Sequence, residues 1–154
     1  MAQLLLMTTL LTLAGLIVTS ISGYLAASPA DIARHILFAL ATVVVGLFSQ
    51  SMTMFFFIGT GKEIKDKAKG AADEQSVVRS TRLFKSKVFP AAMWAMASIM
   101  VTFIIGGGVH TGKVPSLAHH LLSLLTIILF AWAYWVELRA MEENARLMER
   151  FLSE

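Results

Sequence analysis

The four histidines of this 154-residue chain are the residues whose type and position suggest chemistry. They are His35, His110, His119 and His120, and each lies near an end of a long apolar segment. Imidazole is costly inside hydrocarbon and is a good ligand for iron, copper or zinc. If the apolar segments are membrane helices, all four histidines fall on the same side of the bilayer. That side is where a cofactor or metal ion is most expected.

Composition indicates a membrane protein. Hydrophobic residues make up 56% of the chain and charged residues 15%, and the mean hydropathy is +0.71. A soluble domain has roughly 25% charged residues. The chain has no cysteine, which excludes disulfides, thiolate metal sites and cysteine-ligated iron–sulfur clusters within it.

Four long apolar runs predict four transmembrane helices. They cover residues 4–27, 35–60, 88–109 and 117–136, and each is close to or above the ~20 residues that a membrane-spanning helix needs. We therefore predict an all-α integral membrane protein whose single domain is a four-transmembrane-helix bundle. The first run has no preceding basic residues and exceeds the apolar core of a signal peptide, about 7 to 15 residues. It is interpreted as a retained helix, although Ala26-Ala27-Ser28 leaves cleavage open.

The distribution of basic residues predicts the orientation. Of the three connections, residues 61–87 carry most of the cations, whereas the other two carry only Arg34 and Lys113. The positive-inside rule places residues 61–87 and both termini in the cytoplasm. We expect a bacterial inner membrane, with the histidines on the periplasmic or extracellular side. Since acidic residues are mixed with the cations and aromatic residues are not interleaved with them, anionic lipid headgroups are favoured over nucleic acid.

Two segments outside the apolar runs are predicted to be helical. Residues 73–84 are expected on the membrane surface or against a partner, and Pro90 is expected in the first turn of the third helix. Residues 137–154 are predicted to form an amphipathic tail that packs on the bilayer, a second copy or another subunit. Glu137 is expected to be solvated at the cytoplasmic boundary, and no buried carboxylate is expected within the four spans. The aromatic residues expected to form a cytoplasmic belt are Trp94, Trp132, Tyr134 and Trp135.

Each predicted helix has a stripe of small or weakly polar residues at three- and four-residue spacing. In chain order the stripes are Thr8, Thr12, Gly15, Thr19 and Ser22/Gly23; His35, Ala39, Thr42, Gly46, Ser49 and Thr53; Ala91, Ala95, Ser98, Thr102 and Gly106; and His119, Ser123, Thr126, Ala133 and Glu137. In lipid, such stripes allow close packing and interhelical hydrogen bonds of ~0.5 to 2 kcal/mol each. His35 is the first residue of the second stripe and His119 the first of the fourth, so these two imidazoles are predicted to face each other. His120 is about 100° away from His119 around the helix and is expected to point elsewhere.

Other polar or small residues near the predicted helix ends are candidates for cofactor binding. Gly106-Gly107-Gly108 has no side chains, so a bulky group such as a cofactor is able to contact the helix backbone there. His110 follows Gly106 by one helical turn. Gln50 is costly in the inner half of the second span. It is expected either to bond across helices or to line a quinone or substrate pocket.

Three interpretations of the histidines remain open. In the first, His35 and His119 are the axial ligands of a haem b, His110 is a substitute for either, and small residues adjoin the macrocycle. In the second, His35, His110 and His119 bind copper or zinc near the aqueous boundary. In the third, the histidines are solvated or hydrogen-bonded at helix ends and bind no ligand.

The helix count and the placement of His35 and His119 resemble the small four-helix cytochrome b membrane anchors of respiratory dehydrogenases. The resemblance implies a small membrane subunit of an electron-transfer complex, with haem b and quinone bound and with membrane or outer-face subunits as partners. Two other functions stay open. One is a non-catalytic accessory or scaffold subunit that joins a larger assembly or self-associates, and the other is copper or zinc binding or transport at the outer face. No independent enzymatic activity is expected, because the histidine side has no Ser/His/Asp arrangement or carboxylate pair.

Overall fold

A computed structural model describes residues 2–152 of the chain and the side chains of residues 3–150. These residues form four helices and no strand: α1 is Ala2–Tyr24, α2 is Pro29–Lys67, α3 is Glu74–His110 and α4 is Ser116–Leu152. Each helix contains a stretch long and apolar enough to cross a membrane. The prediction of an all-α protein is confirmed, and its four described helices are long and apolar enough to span a membrane.

Three of the helices are much longer than a bilayer is thick. At about 1.5 Å per residue, α1 is about 35 Å long and the others are about 55 to 60 Å, against a hydrocarbon core of about 30 Å. The excess lies at the end of the bundle where α1 begins. We call this extension the stalk, formed by residues 57–68, 74–88 and 140–150. The segment 61–87 is therefore mostly helix, with a turn at residues 68–73. The predicted tail 137–154 is helical up to Leu152, and residues 153 and 154 lie outside the described residues.

Local sequence explains where the helices begin and end. Ser28 and Asp31 form a capping box at the start of α2: the Asp31 amide donates to Ser28 Oγ, and the Ser28 amide donates to the Asp31 carboxylate. This cap starts α2 six residues before its apolar run. At the end of α3, Gly112 has a φ of +69°, a backbone conformation that favours glycine. Pro90 lies inside α3 and not in its first turn as predicted, because the helix already begins at Glu74.

The helices pack mainly through the predicted stripes. Consecutive helices lie side by side, α4 also contacts α1 and α2, and the backbones of α1 and α3 are not adjacent within the described residues. Thr12, Ser49, Ala95 and Thr126 are buried, among other stripe residues. The opposite faces carry many exposed large apolar side chains, as expected for helices surrounded by lipid.

The stalk has its own apolar core. Ile64 is fully buried and packs in one cluster with Val77, Leu147 and Met148. Asn144 Nδ2 donates to a threonine hydroxyl of α2 at 3.1 Å, so polar contacts also join α4 to α2 here. The last part of α4 therefore packs on α2 and α3 of the same chain, and residues 73–84 are part of that packing. Part of the apolar face of each segment is therefore covered within the chain, whereas Leu83 and Leu138 stay exposed.

Candidate functional site

The end of the bundle opposite the stalk contains a cavity of about 550 Å³, which we call the histidine cavity. Its volume is within the range of about 300 to 1,000 Å³ that is usual for ligand sites. All four helices contribute to its lining, and so do all four histidines. The sequence placed these histidines at one end of the spans, and the structure brings them around one space.

His35 and His119 lie next to each other in this cavity. Their ring centroids are 6.1 Å apart and the ring planes are inclined by 80°. A bond from an imidazole nitrogen to a metal is about 2 Å long, so two imidazoles on opposite sides of one ion have ring centres about 6 Å apart. The pair predicted from helix phase is therefore close together, at a separation that suits two ligands of one iron.

The ring of His35 is fixed by α1. Its Nδ1 lies 3.1 Å from the backbone carbonyl oxygen of Thr19 and 3.2 Å from Ser22 Oγ. Because a carbonyl only accepts, the neutral imidazole donates its N–H from Nδ1 to Thr19. The other nitrogen, Nε2, then has its lone pair free for a ligand, and it has no hydrogen bond among the described residues. A backbone carbonyl that orients a histidine in this way is common around metal ligands.

Both rings rest on glycine backbones. A Cβ atom added at Gly23 would lie 2.6 Å from Cε1 of His35, and one added at Gly106 would lie 2.9 Å from Cε1 of His119. The bulky group that presses on Gly106 is therefore the His119 ring. His119 Nδ1 is buried and has no hydrogen-bond partner in the described part of the chain. A buried ring nitrogen without a partner is unusual in a folded protein and is compatible with a further ligand.

The other two histidines also line the cavity, in different ways. The ring centroid of His120 is 6.1 Å from that of His119 and 5.8 Å from that of Tyr24. The prediction that His120 turns away from the site was wrong, because α4 packs against both α1 and α3 and both of its histidines face the space between them. His110 ends α3 and is exposed.

No three side chains of the usual ligating kinds are placed together for a small metal ion. Within residues 3–150, His, Asp and Glu form no group of three or more that is able to hold one. His35, His110 and His119 therefore do not form a ready copper or zinc site. A haem iron needs fewer protein ligands, since the porphyrin supplies the rest and two axial histidines complete the set.

Gln50 lies away from the histidine cavity. Its side chain is fully buried, neither of its amide atoms has a hydrogen-bond partner, and it is not among the residues that line the histidine cavity. The structure thus shows neither the cross-helix hydrogen bond nor the quinone pocket expected for this residue. It lies instead beside a carboxylate.

That carboxylate is Glu137, and the prediction that it is solvated was wrong. Its exposed fraction is 1%, and it faces Gln50 and Thr53 of α2. Glu137 lies one residue beyond the predicted fourth span, and it is buried because α4 continues there and its inward stripe stays covered by neighbouring helices. The sequence contained a signal, since Glu137 continues the spacing of Thr126 and Ala133 on the buried stripe.

The same reasoning applies to Tyr134, which was assigned to the aromatic belt. Trp94, Trp132 and Trp135 are exposed, but Tyr134 is buried and its ring contacts Phe130 at a centroid distance of 5.7 Å. Its hydroxyl lies 3.5 Å from Ser49 Oγ. Tyr134 therefore belongs to the interior of the bundle.

No family model, curated protein or solved structure matches this chain. Its function therefore has to be inferred from the geometry of its own sites.

Proposed function

We propose that this protein is a small membrane subunit for electron transfer that binds haem b between His35 and His119. The observation that supports this most is the 6.1 Å separation of the two rings inside a cavity of about 550 Å³. Two ligands from different helices are the usual way in which a helical bundle holds such a group.

The environment of each ring supports the same proposal. His35 has its Nδ1 engaged with the Thr19 carbonyl, which leaves Nε2 for the iron. Gly23 and Gly106 let both rings lie directly against helix backbones. Rings that are held in this way lose little freedom when a ligand binds, because they are already ordered.

Two axial histidines favour electron transfer over chemistry at the iron. If His35 and His119 both bound the iron, oxygen or a substrate would find no open position at the metal, and the polarity and burial of the surroundings would set the reduction potential. A quinone and a partner subunit at the outer face are the proposed electron donor and acceptor. The complete burial of Gln50 does not support a role for it as a quinone ligand.

The proposed orientation puts the stalk in the cytoplasm of a bacterium, with both termini there, and the histidine cavity near the outer face. Its support is the concentration of Lys and Arg in residues 61–87 compared with the two opposite connections. The haem would then lie near the periplasmic surface, where a soluble or membrane-attached partner is able to reach it.

A purification with cofactor analysis tests the proposal. The chain is expressed with a haem precursor supplied, purified in mild detergent without chelators, and analysed for haem, copper and zinc per chain. We expect about one haem b and a b-type spectrum. One equivalent of copper or zinc without haem would support outer-face metal binding instead. A colourless, metal-free protein that copurifies with other subunits would support the scaffold function.

A further inference from the structure

A second polar site lies near the other side of the membrane, around Glu137 and Gln50. Gln50 is 21 residues along α2 from Pro29, and Glu137 is 21 residues along α4 from Ser116. Both helices begin at the end of the bundle that contains the histidine cavity. At about 1.5 Å per residue this distance is roughly 30 Å, the thickness of the hydrocarbon core. The pair therefore lies at the inner boundary of the apolar layer, where the stalk begins, and it is covered by protein on all sides.

Four polar atoms of this pair lack hydrogen bonds. They are both carboxyl oxygens of Glu137 and both terminal atoms of the Gln50 side chain. Buried polar groups are almost always paired in native proteins, so an arrangement that satisfies all four is expected. Rotation about the soft terminal torsions of Glu and Gln brings the facing groups together.

One added proton on the Glu137 carboxylate allows Glu137 and Gln50 to form a complementary pair of hydrogen bonds. A carboxylic acid donates its O–H to an amide oxygen and accepts from the amide nitrogen with its own carbonyl oxygen. An ionised carboxylate has no donor, and the other hydroxyl beside Gln50, that of Tyr134, is directed to Ser49 Oγ, so Gln50 Oε1 has no donor in this arrangement. The protonated form of Glu137 therefore matches Gln50, and the ionised form does not.

Within the described residues, no basic side chain is placed to pair with the Glu137 carboxylate. The ion pairs of the structure involve other residues and are at exposed positions. On α4 itself, Arg139 is turned outward and lies 4.6 Å from the centroid of the Trp135 ring. The titratable neighbour on the inward side is Tyr134, which is neutral in its ordinary form.

The other helices also bring no charge to this level. From α2 the neighbours are Gln50 and Thr53, and α1 has no titratable side chain before Tyr24 at its opposite end. From α3 the packed residues here are alanines, Ala91 and Ala95. Lys85 of α3 lies beside Gly61, eleven residues and about 16 Å along α2 from Gln50.

We propose that Glu137 and Gln50 form an intramembrane proton-binding site. The step is the transfer of one proton from hydronium to the Glu137 carboxylate, which gives the carboxylic acid and water, and its reverse. Glu137 is 1% exposed and lines neither the histidine cavity nor the groove around Leu83 and Glu143, so a ligand that needs no volume suits the site better than a hydrated ion. Ionisable residues inside membrane bundles commonly mark proton pathways, and this site needs no haem to bind its proton.

Infrared spectroscopy of the purified full chain in lipid nanodiscs at neutral pH tests the proposal. We expect a carbonyl stretching band of a protonated carboxylic acid that shifts in D₂O, disappears in Glu137→Gln and persists in the control Glu143→Gln. Glu143 is an exposed residue of the same helix. A wild-type spectrum without this band would overturn the proposal, as would a band that survives in Glu137→Gln.

Two further measurements cover the remaining outcomes. If Glu137→Gln does not fold, ¹³C labelling of glutamate carboxyl groups in the wild-type chain must shift the band, and a band that fails to shift would overturn the proposal. Thermal unfolding is also compared in sodium, potassium and choline chlorides at equal ionic strength. We expect the same midpoint in all three salts. A wild-type midpoint raised by sodium alone, with no such rise in Glu137→Gln, would replace the proton with a bound sodium ion.

Discussion

The ring of His119 lies against the backbone of Gly106 so closely that no larger residue fits there without movement. An ideal Cβ at Gly106 would be 2.9 Å from Cε1 of His119, closer than real Cβ contacts. At Gly107, the next residue of the same helix, an added Cβ meets nothing within 4 Å. The two glycines are therefore a matched pair, of which only the first positions a candidate ligand.

Replacing Gly106 by alanine is expected to displace His119 and to destabilise the fold by about 1 to 3 kcal/mol, the usual cost of overpacking. Gly107→Ala is the control, and it is expected to be neutral or to stabilise the helix by up to about 1 kcal/mol. Unfolding of both variants in mild detergent is followed by circular dichroism. Equal stabilities of the two variants would contradict the contact between His119 and Gly106.

The stalk is expected to contribute to the stability of the whole protein. Ile64→Ala removes a fully buried side chain from the cluster with Val77 and Leu147, and we expect a loss of about 2 to 5 kcal/mol. Leu83→Ala, at a largely exposed position of α3 in the stalk, is expected to cost less than about 1 kcal/mol. The free energies of unfolding are compared in a denaturant titration. A similar small loss in both variants would indicate that the stalk is not packed in this way.

The absence of cysteine makes the orientation easy to test. Single cysteines are introduced at Ser116, where α4 begins, and at Ser76 in the stalk; both positions are exposed. In intact bacterial cells, a membrane-impermeant maleimide is expected to label Ser116→Cys and not Ser76→Cys, and lysis is expected to make both reactive. Labelling of Ser76→Cys in intact cells would reverse the proposed topology.

Periodicity in the sequence was sufficient for the spans and for one pair of side chains. Four apolar runs gave the four helices, and the stripes that begin at His35 and His119 correctly brought these two rings together. Helix phase alone did not place His120, because the width of the space between α1 and α3 depends on how all the helices pack. Side-chain direction at the end of a helix is a tertiary property.

The inner half was harder to predict because the apolar runs end before the helices do. Glu137, the first residue after the fourth apolar run, was expected to be solvated, although α2 and α4 continue there and cover each other. Glu137 and Asn144 are buried for this reason. The local sequence around a charged residue is the same whether water or another helix covers its side chain. Only the packing of the helices decides whether that side chain is exposed or buried.

The central claim is that His35 and His119 are the axial ligands of one haem. Its most direct test is the reduced-minus-oxidised absorption spectrum of the purified chain and of its four single His→Ala variants, at equal protein and haem supply. We expect a low-spin b-type spectrum in the wild type, in His110→Ala and in His120→Ala, and its loss in His35→Ala and His119→Ala with folding retained. A colourless wild-type protein after haem supply, or an unchanged spectrum in His35→Ala and His119→Ala, would contradict the claim.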